Sequence, residues 1–86
     1  MHYRYKTKNV CSSEINFDLE EGKLHNVVFT GGCNGNLKAI GKLVEGMDAD
    51  QVIALLQGNT CGRSDTSCAD QLTKAIESAL RQEAQA

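Results

Sequence analysis

An α+β fold, with a three-stranded antiparallel meander followed by three helices packed on one face, is what this 86-residue sequence predicts. Three observations lead there. Polar and apolar residues alternate through the first third, the period of a strand with one wet face. Beyond Asn36 the apolar residues recur three and four apart, the period of a helix. Between these stretches Gly22, Gly46 and Gly58 fall where a hairpin turn or a helix end wants glycine.

The first strand is expected from Tyr3 to Cys11, where Tyr3, Tyr5 and Thr7 alternate with Arg4, Lys6 and Lys8 on a solvated face. Cys11 would then end that strand on the face of Tyr3 and Tyr5. In the second strand Ile15, Phe17 and Leu19 alternate with Glu14, Asn16, Asp18 and Glu20. Glu21-Gly22-Lys23 turns the chain, and Leu24 to Thr30 returns it with Val27 and Phe29 toward the core.

Leu37, Ile40, Leu43 and Val44 mark the first helix, which Gly46 ends. Asp48 is placed to cap a second helix carrying Val52, Ile53, Leu55 and Leu56, closed by Gly58. Ser67 and Asp70 resemble a capping box at the start of the third, whose apolar face is Leu72, Ala75, Ile76, Ala79 and Leu80. Residues 81–86 are polar enough to fray. Residues 1–86 are expected to form one domain, with no repeat and no linker.

Composition excludes several classes. Nine Lys and Arg against eleven Asp and Glu give a formal net charge of −2, with no basic stripe, which argues against nucleic acid as the main partner. No apolar run reaches the roughly 20 residues that span a bilayer, and Met1-His2-Tyr3-Arg4-Tyr5 lacks the apolar core of a signal peptide. A cytoplasmic location follows as an expectation, and with it reduced thiols rather than disulfides. The oligomeric state is left open.

The chemistry is expected to lie in four cysteines, Cys11, Cys33, Cys61 and Cys68, all at the ends of elements. Cys33 and Cys68 sit where a turn starts a helix, a position that favours negative charge and hence the thiolate, the nucleophilic and metal-binding form. Cys33 lies four residues before Leu37 and Cys68 four before Leu72, so both continue an apolar helical stripe inward. Gly31 and Gly32 would let the backbone turn sharply beside the thiols. Spacing alone is no zinc signature, since no Cys-x-x-Cys occurs. A buried thiol also packs as a small hydrophobe, which is the bland alternative for each cysteine taken alone.

The other candidates are weaker. His25 reads as a surface or edge residue, and His2 as terminal and mobile. The glycines around Cys33 lack the Gly-Lys-Ser/Thr ending of a phosphate-cradling loop. Asp65 and Asp70 carry acid–base potential, with capping the simpler role for Asp70.

Four blocks of the sequence, Val10-Cys11-Ser12, Gly31-Gly32-Cys33-Asn34-Gly35-Asn36-Leu37, Cys61-Gly62 and Thr66-Ser67-Cys68-Ala69-Asp70-Gln71-Leu72, resemble the TSCPD-domain proteins in the family's order. The resemblance runs from about Tyr5 to Leu80. Ala69 departs from it, standing where the namesake block has Pro, a residue tolerated but not required at a first helical position.

The resemblance implies an accessory domain associated with adenosylcobalamin-dependent ribonucleotide reductases and deoxyribonucleotide synthesis. The chain is too short to hold a radical-bearing barrel of its own. It implies that the family's cysteines map to Cys11, Cys33, Cys61 and Cys68, which would hold a metal, Zn²⁺ as the first expectation, and that the partner is a protein such as a ribonucleotide reductase. A looser similarity to iron–sulfur scaffold proteins of the IscU and NifU type keeps an iron–sulfur cluster as the alternative cofactor. A dithiol redox shuttle is the enzyme-like alternative.

Overall fold

Alternation in the N-terminal third does produce strands. The computed structural model describes residues 1–32, 34–60 and 66–85, and arranges them as β1 (His2–Lys6), β2 (Ser12–Glu20), β3 (Lys23–Gly31), α1 (Asn34–Val44), α2 (Ala49–Leu56) and α3 (Cys68–Gln85). The strands form one antiparallel sheet in the order β1-β2-β3. This is the α+β meander followed by three helices that the sequence predicts.

The β2–β3 turn consists of Glu21 and Gly22, both in the left-handed region at φ 52° and 77°. Two successive positive φ values give the turn twist that matches two right-twisted strands, and glycine takes one of them without strain. Along β2 the side chains of Ile15, Phe17 and Leu19 are buried while Asn16 and Asp18 stay partly exposed.

Two bulges then change the register. Opposite Phe17, β3 carries an extra residue at Asn26–Val27, and Asn26 has φ 56°. The insertion reverses side-chain parity, which is why Leu24 and Val27, three residues apart, are both buried. Asn26 is held there from two sides, its amide N–H donating to Glu45 Oε1 at 2.9 Å and its Nδ2 to Asp18 Oδ2 at 2.9 Å. The second bulge places Ser13 as the extra residue on β2, between the pairs Ser12–Gly31 and Glu14–Thr30.

The core lies between the inner sheet face and the helices. Ile15, Phe17, Leu19, Leu24 and Val27 meet Val44 of α1, Val52 of α2 and Leu72, Ala75, Ile76 and Ala79 of α3 in one cluster. Each large apolar side chain removed from water there stabilises the fold by about 1.5–3 kcal/mol. Gly41 lets α1 lie tight on β3, since a Cβ at that position would stand 2.7 Å from the carbonyl oxygen of Val27.

Several expectations need correction. Asn9 takes a left-handed conformation (φ 59°) and turns the chain early, so the first strand stops at Lys6. Cys11 therefore does not end that strand; it is exposed in the turn that enters β2. Leu43 and Leu55 are 75% and 66% exposed, outside the buried stripes of their helices. His2 is not a loose terminal residue but part of β1, with Nδ1 2.8 Å from Asp18 Oδ1 and Nε2 3.1 Å from Asn16 Oδ1. Gly46 and Gly58 do follow α1 and α2 at positive φ, and Asp48 stands at the N-cap of α2 without a side-chain capping bond. α3 continues through Gln85, its last residues exposed.

Candidate functional site

The second bulge positions the first half of the site. Plain alternation would send Ser12 to the wet face with Glu14. The extra residue at Ser13 reverses the parity, and Ser12 is buried at 2% exposure, leaving Cys11 at the rim.

The start of α3 positions the second half. Ser67 caps the helix, its Oγ accepting the Asp70 amide N–H at 3.1 Å while its hydroxyl donates to the Asn59 carbonyl. Asp70 does not complete a capping box. Its carboxylate instead accepts the Gly58 amide N–H at 2.8 Å and the Thr66 hydroxyl at 2.7 Å, so it joins the α2 end to the α3 start. Burial pushes the Asp70 carboxyl up, but Thr66, Gly58 and Lys74 together hold it below its ordinary value. This frame fixes Cys68 in the first turn of α3, buried.

The two halves meet at sulfur. Cys11 Sγ lies 3.7 Å from Cys68 Sγ, although 57 residues separate them in the chain. Ser12 Oγ lies 3.1 Å from Cys68 Sγ, close enough for a hydrogen bond to the buried thiol. The Gly31–Gly32 backbone passes against the pair, both residues at φ 78°; a Cβ on Gly32 would stand 2.9 Å from Cys11 Sγ. Glycine here thus serves close approach to a thiol, as the sequence suggests.

The pair opens on a cleft of about 610 Å³. Val10, Leu37 and Ile40 give it an apolar wall, and Asn9, Asn36 and Asn59 a polar one. Of the four cysteines predicted as site residues, the structure brings Cys11 and Cys68 together. Cys33 and Cys61 lie outside the described residues, and among the described residues no cluster of three or more His, Cys, Asp or Glu could hold a metal. His25 bonds to Glu45 at 2.7 Å, away from the thiols. Ser12 is the residue that pattern reasoning missed, because only the bulge turns it inward.

A meander with helices on its inner face, carrying a thiol pair where the β2 entrance meets the α3 start, defines a small α+β domain with a cysteine site. The family model for the TSCPD domain matches residues 1–80, and the chain belongs to that family, which is linked to ribonucleotide reductase-type proteins. No curated protein and no solved structure matched the chain. No helix among the described residues is long and apolar enough to cross a membrane.

Proposed function

We propose that this protein is an accessory thiolate domain for ribonucleoside-diphosphate reduction, in which Cys11, Cys33, Cys61 and Cys68 form a metal site. The observation that carries the reading is the 3.7 Å between the sulfurs of Cys11 and Cys68. Thiolates bound tetrahedrally to zinc at about 2.3 Å stand about 3.8 Å from one another, so the pair is spaced as two ligands of one ion require. The chain leading to the other two cysteines supports it: a Cβ built on Gly32, which directly precedes Cys33, would stand 2.9 Å from Cys11 Sγ, and Thr60, which directly precedes Cys61, lines the cleft.

Zinc in such a site supplies a closed tetrahedral cross-link. Here the residues on hand would tie the β1–β2 turn to the first turn of α3, where one small core leaves little stability to spare. Ser12 orients the Cys68 sulfur from the buried side, and Gly32 leaves room for that of Cys11. The domain would then present a rigid face to a protein partner such as a ribonucleotide reductase.

Elemental analysis of protein purified without chelator tests this. We expect one zinc per chain, lost in Cys11→Ser together with several degrees of melting temperature. Metal-free protein that melts like the variant would overturn it. A brown product on anaerobic reconstitution with iron and sulfide would identify the cluster alternative instead.

The same contact favours a second reading, dithiol exchange. The exposed Cys11 thiolate attacks a partner disulfide and releases one partner thiolate; Cys68 then attacks the mixed disulfide and releases the other. The products are a Cys11–Cys68 disulfide and a partner dithiol, so electrons and protons balance without a further oxidant. Mass spectrometry after incubation with a small disulfide separates the readings: a loss of 2 Da that Cys68→Ser abolishes supports exchange, and unchanged mass excludes it.

A further inference from the structure

We infer that a second cavity, on the far side of Asn9 and Thr66 from the thiols, is a binding site for a phosphate group. Tyr5, Lys8, Asn9, Thr66, Gln71 and Lys74 line this cavity of about 300 Å³. All six are polar or carry a polar tip, and two are cationic, in a chain whose net charge is −2. The site is independent of the thiol chemistry and of either reading of it.

What makes the cavity more than two surface lysines is the way they are held. The buried Gln71 side chain accepts the Lys8 backbone N–H at Oε1 (3.1 Å) and donates through Nε2 to Thr66 Oγ1 (3.0 Å). It thereby pins the turn after β1 to α3. Lys74 stands one helical turn beyond Gln71, on the same face. A single buried amide thus fixes two ammonium-bearing segments around one polar space.

The charges in and around it favour an anion. Among the described residues Lys8 forms no ion pair, whereas Lys74 lies 3.8 Å from Asp70 Oδ2. That carboxylate is buried and shared among Thr66, Gly58 and Lys74, so it offsets one of the two ammonium groups and the cavity keeps a net positive charge. Two ammonium groups and amide donors suit a phosphate dianion, which offers several acceptor oxygens to point charges of the lysine kind. Because the cavity shares Asn9 and Thr66 with the thiol cleft, a phosphoester held there would extend toward the cysteines.

Titration of the whole protein with inorganic phosphate and with methyl phosphate, followed by amide ¹H–¹⁵N shifts at low salt, is the test. We expect saturable shifts centred on Lys8, Asn9, Gln71 and Lys74, weakening as ionic strength rises. Tighter binding of methyl phosphate identifies an ester as the ligand, and tighter binding of inorganic phosphate the free ion. The double variant Lys8→Gln/Lys74→Gln should bind at least tenfold more weakly, with a melting temperature lowered by loss of the Lys74–Asp70 pair. Lys8→Gln alone, at an exposed side chain, gives the intermediate value should the double variant not fold. No saturable shift, shifts centred elsewhere, or undiminished binding by the variants would each overturn the proposal.

Discussion

Gly32 stands so close to Cys11 that one added methyl would sit 2.9 Å from its sulfur, 3.0 Å from Leu37 Cδ1 and 3.1 Å from the Ser12 backbone nitrogen. The backbone there is also at φ 78°, which L side chains adopt only with strain. Gly32→Ala should therefore cost about 1–3 kcal/mol from overpacking and strain. Gly35 in α1 has no neighbour within 4 Å and is not at positive φ, so Gly35→Ala should raise stability by about 0.5–1 kcal/mol. Urea unfolding of the two variants checks the contrast; equal effects would show that the close approach to Cys11 is not what the fold requires of Gly32.

Ser12 and Ser13 are adjacent and chemically identical, but the bulge gives them opposite surroundings. Ser12 is buried against the Cys68 sulfur, while the exposed Ser13 donates to the Thr30 carbonyl at 3.3 Å. Ser12→Ala should cost about 1 kcal/mol, the net value of one intramolecular hydrogen bond. In a domain of this size that lowers the melting temperature by about 4–8 °C. Ser13→Ala should stay within about 0.5 kcal/mol of the parent. Thermal melts of both decide it, and a larger loss at Ser13 would mean that the parity across the bulge is reversed.

The His2–Asp18 pair makes β1 docking depend on pH. Hydrogen bonding to Asp18 first, and to Asn16 second, raises the His2 pKa above its ordinary 6.5. Its contribution is fully present below 6.5 and lost as pH rises through the raised folded-state value. Asp18 is shifted the other way, first by the Asn26 amide and then by His2, to below its ordinary 3.8. Its contribution is present above 3.8 and lost as pH falls through the lowered value. The pair thus stabilises most between pH 4 and 6.5. His2→Ala should lower the melting temperature at pH 5.5 and not at pH 9, and added salt should shrink the difference because both groups are exposed. A gap of equal size at both pH values would mean that packing of the ring, and not its charge, is what β1 uses.

Ile15, Phe17 and Leu19, at a clean period of two, and Leu72, Ile76 and Ala79, at helical spacing, announced the sheet, α3 and the face each buries. Burial of apolar area is additive and local in pattern, so a one-dimensional string carries it. Leu43 fits its helical period as well as Val44 does, yet is exposed, because period locates a stripe and not its edges. The four cysteines stood out by type and by their places at element ends, which drew attention to Cys11 and Cys68 before any geometry.

Which residues meet was decided only in three dimensions. One inserted residue at Ser13 and another at Asn26 reversed side-chain parity, and with it the burial of Ser12 and of Val27. The contact of Cys11 with Cys68 spans 57 residues and depends on how α3 docks beside the β2 entrance. The bond from the Lys8 backbone to Gln71, which brings Lys8 near Lys74, spans 63. Periodicity reports the environment of each residue along its own element. Contacts between elements follow from register and packing, which a single inserted residue can shift by half a period.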